Sequence, residues 1–535
     1  MKTLIFLVSL FLSTLTLAED IPSEEIRLKM FDKLVEEIER IDGEGLPARA
    51  NRPQPWKETV AILRGQMKDA STKTDLGQVF RKLDATYPNL HAQVVLHQQY
   101  DLIKPDKKPV FAVRFDAEVT AKNKLASRIL VSQVKDEMLK DLRGSMKPAR
   151  GDEVIAINGR PVKEWQTENF IYCKHPLAEQ CEMNFFHHFK KGLLSWDLRR
   201  PLEYTLKRKK EVWVVRIPVE FPAPGQNVES ECFGESSRYP DFSPLYKGHN
   251  ICLYESTKHP GVAVLRIISF AYRELSVDEK IQSLQEEVNQ FYEVYWKKKN
   301  VGIRKLVIDV IDNGGGDIPV PWYEIFLDSP FQEQFVQFKN LPELKNPLIR
   351  QDLFYRDKGK EIWYQALIKE KETSANFLPS VPQFCVHQNQ SCDVDLFKPR
   401  EHQFKGSVRI MVNEWCISSC TGFVWNMKNK LGDRVKIIGV PDSGDSAYAR
   451  LFVDVYLDPK NPQGFRTEIA PRQGRTRQKL PPGAILRQQV SATRSTDQNG
   501  NVVSAIPTPV DVWIPYPYHS TEDPWEVKIF KAALK

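Results

Sequence analysis

The chain has 535 residues, of which 41% are hydrophobic and 27% charged, so a folded protein of about two to four domains is expected and general disorder is excluded. The formal net charge of +7 is small for this length. Basic residues form only short runs such as 207–210, which argues against the broad basic surface of a nucleic-acid-binding protein.

The first 18 residues have the pattern of a signal peptide. Lys2 precedes an apolar run from Leu4 to Leu12, and Ala18 offers a small-residue cleavage position before acidic Glu19. No later stretch has the apolar length of a transmembrane helix. We therefore expect a mature chain that begins at Glu19, has no stable membrane span, and is secreted or periplasmic.

Eight cysteines fall into four close pairs, as expected for an oxidising compartment. Zinc is the competing interpretation, but there is no CxxC motif and His387 belongs to no recognisable zinc spacing. No metal is therefore expected. Disulfides are predicted for three pairs, whereas the same reasoning leaves Cys416–Cys420 open. The three predicted pairs are Cys173–Cys181, Cys232–Cys252 and Cys385–Cys392.

Residues 19–104 are predicted to form a helical region that ends in a strand. Apolar residues recur at helical spacing within 24–41, and helical patterns follow at 56–67 and 75–83. The spacing changes to that of a strand at 92–96, directly after His91. His91 is therefore expected at the junction between a helix and a strand.

Residues 105–220 are interpreted as a separate β module. The segment Arg150–Val162 contains a Gly-Asp turn, a short apolar strand, an Asn-Gly turn and a second strand. This order resembles the PDZ domains attached to exported proteases, with closing strands at 204–219. A PDZ domain binds an extended peptide at a sheet edge, so the resemblance implies peptide binding. A generic β-hairpin is the alternative.

Residues 221–535 are predicted to form one α/β domain. Strand patterns at 262–267, 305–310, 408–412 and 435–439 alternate with helical patterns at 276–298 and 420–430. Such alternation indicates parallel βαβ units. A long insert at about 330–405 separates the second of these strands from the third.

Two turns at strand ends are candidates for chemistry. One strand runs into Asn313-Gly314-Gly315-Gly316, where the absence of side chains lets backbone N–H groups approach a ligand. No Gly-Lys-Ser/Thr follows, so this turn is not a P-loop. Ser419 lies between a strand and a helix, near the positive end of the helix dipole. A tight structural turn and a simple helix cap are the respective alternatives.

The two turns together resemble those of the tail-specific, or C-terminal processing, serine proteases. The resemblance rests on LVIDVIDNGGG at 306–316 and on VRIMVNEWCISSCTGFVWNMKNKLGDRVKIIG at 408–439, and its order of elements extends over nearly the whole mature chain. It implies an α/β fold with a crotonase-like β/α protease core at 221–535, to which the N-terminal helical region and the PDZ-like module are added.

This resemblance also implies roles for individual residues. Ser419 is expected to be the nucleophile, with Ser418 as its rival. The backbone N–H of Cys420 is expected to form an oxyanion hole with that of Gly315 or Gly316.

The family divides by its general base, and the chain matches the Ser–His branch. In the Ser–Lys branch a Lys follows a glycine after the third strand, where this chain has Asp445. The Ser–His branch, which includes the chlamydial protease-like factor and tricorn-type enzymes, uses a histidine from the N-terminal part. His91 matches that placement, and neutral imidazole is a suitable base for a serine hydroxyl.

The third member of the triad departs from the family pattern. Ser504 stands where the Ser–His branch has a Glu. A serine can accept a hydrogen bond from imidazole but carries no charge, and loss of the carboxylate from a Ser-His-Asp triad costs about 10⁴ in turnover. Either the enzyme is slow or specialised, or another carboxylate such as Asp497 or Asp445 serves.

The main functional prediction is an exported serine endopeptidase that acts on protein or peptide substrates without a cofactor. The alternative is a protein with a protease fold that binds peptides and has weakened catalysis. A homodimer is compatible with either function.

Overall fold

The computed structural model describes most of the chain. The described residues are 21–43, 56–101, 110–118, 128–142, 147–186, 200–220, 238–271, 277–299, 302–316, 319–329, 335–346, 349, 376–382, 399–444, 450–470, 480–497, 499–514 and 524–535. The predicted signal peptide, the pair Cys385–Cys392 and the residue Asp445 lie outside these ranges. In the described part, no helix is both long and apolar enough to span a bilayer.

The described part of the N-terminal region contains three helices, as the periodicity predicted: α1 (Glu24–Ile41), α2 (Trp56–Asp69) and α3 (Lys73–Thr86). The side chain of Ser23 caps α1, and Thr72 with Asp75 forms a reciprocal capping box at α3. Strand β1 (Val94–Leu96) follows α3 and begins two residues later than the sequence pattern indicated.

A β module follows between residues 110 and 220. The strand order in its main sheet is β3-β4-β5-β7-β8, with β6 paired to β5, while β2 pairs with β9. Its elements are β2 (Val110–Phe111), β3 (Val113–Ala117), β4 (Ile129–Val134), β5 (Glu153–Ile157), β6 (Arg160–Pro161), α4 (Val162–Asn169), α5 (Ala178–Met183), β7 (Leu202–Arg208), β8 (Glu211–Ile217) and β9 (Val219–Glu220).

The Asn-Gly turn of this module has the predicted hairpin geometry, because Asn158 and Gly159 both have positive φ. The strand after the turn is shorter than expected. It ends at Pro161, and Val162 begins α4 instead of extending the sheet. Proline has no N–H to donate to a strand ladder and readily precedes a helix, which accounts for the change.

The C-terminal part is built on a seven-stranded sheet in the order β10-β11-β12-β13-β16-β17-β22. The pairs from β12 to β22 are parallel, and those from β10 to β12 are antiparallel. Its strands are β10 (Ser243–Lys247), β11 (Ile251–Glu255), β12 (Val262–Ile267), β13 (Lys305–Asp309), β16 (Ser407–Val412), β17 (Val435–Gly439) and β22 (Val512–Trp513).

Helices cover both faces of this sheet, so the α/β class is confirmed. Helices α6 (Val277–Phe291), α7 (Val320–Phe326) and α8 (Ser419–Leu431) pack on one face, and α9 (Trp525–Leu534) packs on the other. Helix α6 continues through a π-helical turn at Tyr292–Trp296.

Two smaller sheets lie outside this core. One has the order β1-β20-β18-β19, and its apolar face packs against α1–α3. The other, β15-β14-β21, includes the described part of the long insert. Their strands are β14 (Phe335–Phe338), β15 (Val381–Pro382), β18 (Arg450–Leu457), β19 (Phe465–Ala470), β20 (Ala484–Ser491) and β21 (Thr493–Thr496).

Disulfides join Cys173 to Cys181, as predicted, and Cys416 to Cys420, the pair that the sequence left open. Cys252 is also disulfide-bonded, and its predicted partner Cys232 lies outside the described residues.

A buried ion cluster marks the end of the central strand β13. Asp309 is fully buried and accepts hydrogen bonds from Arg266 (3.0 Å), Arg238 (3.1 Å) and the hydroxyl of Tyr239. Burial alone would raise the pKa of Asp309, but the two guanidinium groups outweigh it and hold that pKa below its ordinary value. The carboxylate therefore stays charged and depends on both arginines.

We predict that Asp309→Asn lowers the free energy of unfolding by about 3–5 kcal/mol, because it leaves two buried guanidinium groups without their counter-charge. Urea denaturation at neutral pH measures the effect. Asp241→Asn is the control, since Asp241 pairs with the largely exposed Lys258 and its loss should leave the midpoint unchanged. Equal midpoints for the two variants would contradict the prediction.

Candidate active site

Three parallel strands bring the candidate segments to one edge of the core sheet. In the register of β12, β13 and β16, Arg266 lies beside Asp309 and Asp309 beside Met411. The residues that follow the three strands must therefore leave the sheet at the same edge. In open α/β sheets, this carboxyl edge is where ligands bind.

The glycine-rich turn lies tightly between two other backbone segments. A Cβ atom on Gly315 would lie 2.4 Å from the carbonyl oxygen of Ile417, and one on Gly316 would lie 2.3 Å from the carbonyl carbon of Phe270. Both glycines also have positive φ. The absence of side chains thus lets the turn approach the Ser419 segment, as well as any ligand.

Two asparagines join the glycine-rich turn to its neighbours. Asn413 and Asp312 form a reciprocal pair, in which Asp312 N–H donates to Asn413 Oδ1 (2.9 Å) and Asn413 Nδ2 donates to Asp312 Oδ1 (2.8 Å). Asn313 Nδ2 donates to the carbonyl of Ile267 (3.0 Å), and the backbone carbonyl of Asn313 accepts from Ile417 N–H (3.2 Å). Neither asparagine was assigned a role from the sequence, although the position of each one after a buried strand could have indicated a role at the site.

Ser419 is the first residue of α8 and lies against the glycine-rich turn. Its Oγ donates a hydrogen bond to the carbonyl oxygen of Gly316 at 2.9 Å. The preceding Ser418 has φ +60° and makes no side-chain capping bond. The disulfide Cys416–Cys420 closes the turn around both serines, and its two cysteines are fully buried.

The N–H groups expected in the oxyanion hole differ in their availability. Cys420 N–H donates to the carbonyl of Ile417 (3.1 Å), and Gly315 N–H donates to Asn313 Oδ1 (2.9 Å). Gly316 N–H has no hydrogen-bond acceptor among the described residues. In this conformation Gly316 is therefore the most available of the three predicted donors.

His91 lies in the loop between α3 and β1. The buried Asn89 shapes this loop, because its Oδ1 accepts from the N–H groups of His91 (2.8 Å) and Ala92 (3.2 Å). Downstream of the loop, β1 pairs antiparallel with β20. The side chain of His91 is half-buried, and no hydrogen bond joins it to Ser419 Oγ in this conformation.

A segment to which the sequence assigned a disulfide but no role at the site contacts both the His91 loop and the Ser419 turn. Lys174 Nζ donates to the carbonyl of Ala92 at 2.6 Å, and the ring of His175 lies edge-on against Trp415 at 5.5 Å between centroids. Both residues lie within the loop closed by Cys173–Cys181. This segment bridges two parts of the chain that are far apart in sequence.

Of the three residues considered for the third position, Ser504 and Asp497 lie among the described residues, and their surroundings differ. Ser504 is buried, and its Oγ accepts from Ser495 N–H at 2.9 Å and contacts the Ser495 carbonyl at 3.4 Å. Asp497 caps a surface turn, where its carboxylate accepts from the N–H groups of Asn499 and Asn501 and from the Asn501 side chain. The described contacts of Asp497 therefore serve that turn.

Two buried carboxyl groups flank the Ser419 turn. Burial raises the pKa of Glu414 to about 8, and the nearby Asp312 adds to this shift. Burial also raises the pKa of Asp442 to about 7, although Asp442 Oδ1 accepts from the N–H groups of Gly444 (2.9 Å) and Thr508 (3.0 Å). Both carboxyls therefore change charge near neutral pH.

Comparison with known proteins supports a protease fold. Residues 261–453, which contain both candidate turns, match the family described as Peptidase family S41. A structure of mature CPAF complexed with lactacystin matches at 12% identity with a TM-score of 0.61, covering 96% of each chain. A crystal structure of mature CPAF matches at 12% identity and a TM-score of 0.57, with the same coverage. No curated protein sequence matches the chain.

These matches confirm the expected relation to tail-specific proteases and the expectation of a serine peptidase. The family match covers strands β12, β13, β16 and β17 of the core sheet, and the structural likeness extends the fold to nearly the whole chain. At 12% identity, that likeness describes the fold alone.

We predict that the stability of the protein falls as pH rises from about 4 to about 7. Over this range the folded protein retains a proton on Asp442 that the unfolded chain has lost, so deprotonation favours unfolding. Asp442→Asn removes the part of this dependence that Asp442 causes, while the part that Glu414 causes remains, and the variant should gain up to about 1.4 kcal/mol relative to the natural protein for each pH unit. Urea denaturation at pH 5 and pH 8 measures it.

The exposed Asp433, replaced by Asn, is the matched control and should leave the pH dependence unchanged. If Asp442→Asn and Asp433→Asn follow the same pH profile, the burial of the Asp442 carboxyl does not set the pH dependence.

Proposed function

From the premise that residues 261–453 form a peptidase family S41 domain, we propose that this protein is an exported serine endopeptidase with Ser419 as nucleophile and His91 as general base. The observation that carries the proposal is the contact of Ser419 Oγ with the glycine-rich turn, 2.9 Å from the Gly316 carbonyl oxygen. A serine hydroxyl at a helix N-terminus, beside the backbone N–H groups of glycine residues, is suited to acyl transfer.

In the first chemical step, His91 removes the proton from Ser419 Oγ as that oxygen attacks the peptide carbonyl carbon. The peptide C–N bond then breaks, and imidazolium gives the proton to the leaving amine. A water molecule hydrolyses the acyl-enzyme by the same exchange of protons. For attack, Ser419 Oγ must exchange its hydrogen bond with the Gly316 carbonyl for one with the imidazole.

The oxyanion of the tetrahedral intermediate is expected to bind backbone N–H groups of the two turns. Gly316 N–H is available for this role, and the positive end of the α8 dipole adds to the attraction. Gly315 and Cys420 contribute if their N–H groups share or exchange their present acceptors, Asn313 Oδ1 and the Ile417 carbonyl.

The third position is proposed for Ser504. Its Oγ accepts one hydrogen bond from Ser495 N–H, and a hydroxyl oxygen has a second lone pair for an imidazole N–H. Because the partner is neutral, it stabilises imidazolium less than a carboxylate does, which is consistent with a slow or specialised enzyme.

Export and peptide binding complete the proposal. The pattern of residues 1–18 and the two disulfides support a secreted or periplasmic protein. The β module has the Asn-Gly turn from which a PDZ-like role was expected, and its edge strand β8 exposes Val212 and Val214. We propose that this module receives an extended segment of the substrate.

The second candidate function is peptide binding with weakened catalysis. It is favoured by one observation, the neutral Ser504 in the position where a carboxylate is expected. Measured hydrolysis separates the two functions, because binding alone leaves the substrate intact.

We predict that Ser419→Ala and His91→Ala each abolish hydrolysis of an unfolded protein such as labelled casein. The double variant should be little worse than either single variant, because the two side chains act as one unit. Ser418→Ala is the matched control for the nucleophile and should retain activity, since the Ser418 side chain makes no capping bond.

His175→Phe is the matched control for the base, because it keeps an aromatic ring against Trp415 while removing a second histidine from the same region. We expect it to retain hydrolysis. Full activity in His91→Ala would exclude His91 as the base. Loss of activity in His175→Phe but not in His91→Ala would assign the role to His175 instead.

We predict that Ser504→Glu raises turnover, because it restores a charge that stabilises imidazolium. Asp497→Asn should have no effect, since that carboxylate serves a surface turn. Steady-state kcat on a peptide substrate measures both variants. An unchanged or lower kcat in a folded Ser504→Glu protein would remove Ser504 from the third position.

A further inference from the structure

The Cys173–Cys181 segment, defined here as residues 173–181, lies between α4 and the end of α5. Residues 173–177 are irregular, and residues 178–181 belong to the short helix α5 (Ala178–Met183). It nevertheless carries four buried polar or charged side chains, and three of them contact elements of the proposed active site. The four are Lys174, His175, Glu179 and Gln180. Burying so many polar groups in a short segment is unfavourable unless each group forms a hydrogen bond or an ion pair.

One end of the segment is attached to the His91 loop. The buried Lys174 donates through Nζ to the carbonyl of Ala92 (2.6 Å) and to Asp84 Oδ1 (3.0 Å). Asp84 lies on α3, before the loop, and Ala92 directly follows His91. The ammonium group therefore holds both sides of the loop from which the imidazole projects.

The other end is attached to the loops that surround Ser419. The fully buried Gln180 donates through Nε2 to the carbonyls of Pro441 (3.0 Å) and Asp442 (2.5 Å). The next residue, Ser443, donates from N–H (3.2 Å) and from Oγ (3.0 Å) to the carbonyl of Cys416. Cys416 is bonded to Cys420, so this chain of contacts reaches the turn that contains Ser419.

A further contact lies between these two ends. The ring of His175 meets the ring of Trp415 edge-on at 5.5 Å, at an interplanar angle of 88°. Trp415 belongs to the turn between β16 and α8. The segment thus contacts the Ser419 turn directly as well as through Ser443.

The disulfide Cys173–Cys181 joins the two ends of the segment. Cys173 precedes Lys174 directly, and Cys181 follows Gln180 directly. The two groups that bind the His91 loop and the Ser419 loops are therefore linked by a covalent bond over a short path. Without that bond, the chain between Lys174 and Gln180 would allow the separation of these two residues to vary more.

We propose that the Cys173–Cys181 segment is a positioning device that sets the distance between His91 and Ser419. Lys174 and Gln180 are its positioning residues, and the disulfide fixes their separation. This inference rests on the proposed function, since it takes His91 and Ser419 as base and nucleophile. Misplacing reacting groups by about 1 Å can lower the rate by about 100-fold.

Three changes at different places on the segment test the proposal: Lys174→Met, Gln180→Met, and the pair Cys173→Ser with Cys181→Ser. Each is expected to lower kcat by about 10–100-fold with little change in KM, because the proposed positioning acts on the chemical step. The rate at which a fluorophosphonate labels Ser419 should fall in parallel. Lys163→Met, on the exposed side of α4, is the matched control and should leave all three quantities unchanged.

Combining Lys174→Met with Gln180→Met should cost less than the sum of the two single effects, because either change disconnects the same link. Thermal midpoints identify any variant that fails to fold, and the two remaining variants then decide the outcome. Unchanged kcat and labelling rates in folded variants, in a protein that Ser419→Ala inactivates, would overturn this proposal alone. Hydrolysis that persists in Ser419→Ala would overturn the proposed function instead.

Discussion

Asp309 is the last residue of the central strand β13, and its carboxylate is fully buried. Ion pairs with Arg266 and Arg238 keep this carboxylate ionised. The same Arg266 donates to the carbonyl of Ile311, and Ile311 N–H donates to Asp309 Oδ1. The ion cluster therefore fixes the point at which the chain leaves the strand and begins the glycine-rich turn. Everything at the carboxyl edge of the sheet is placed relative to this point.

From that edge, the site is assembled by polar contacts between backbone segments. The reciprocal pair of Asn413 with Asp312 sets the separation of the two turns, and Asn313 bonds both the β12 end and the Ser419 turn. The contact of Ser419 Oγ with Gly316 is the last in this series.

The electrostatics around Ser419 are set by burial. Glu414 and Asp442 are desolvated and protonated at mildly acidic pH, since the pKa of each lies near or above neutrality. The negative charge beside the Ser419 turn therefore increases as the pH rises through the range in which these two carboxyl groups ionise.

The sequence by itself determined the local elements and the two turns. Sequence patterns located α1–α3 and the parallel strands β12, β13, β16 and β17, because the spacing of apolar residues reflects which face of an element is buried. The motifs at 306–316 and 408–439 indicated the family, and the spacing of the cysteines indicated the disulfide Cys173–Cys181. Tertiary structure alone decided how these parts meet. Lys174, Gln180 and Asn413 have no distinguishing local pattern, since their partners lie far away in the chain and only the tertiary fold brings them within hydrogen-bonding distance. For the same reason, the burial that raises the pKa of Asp442 could not be read from its neighbours in sequence.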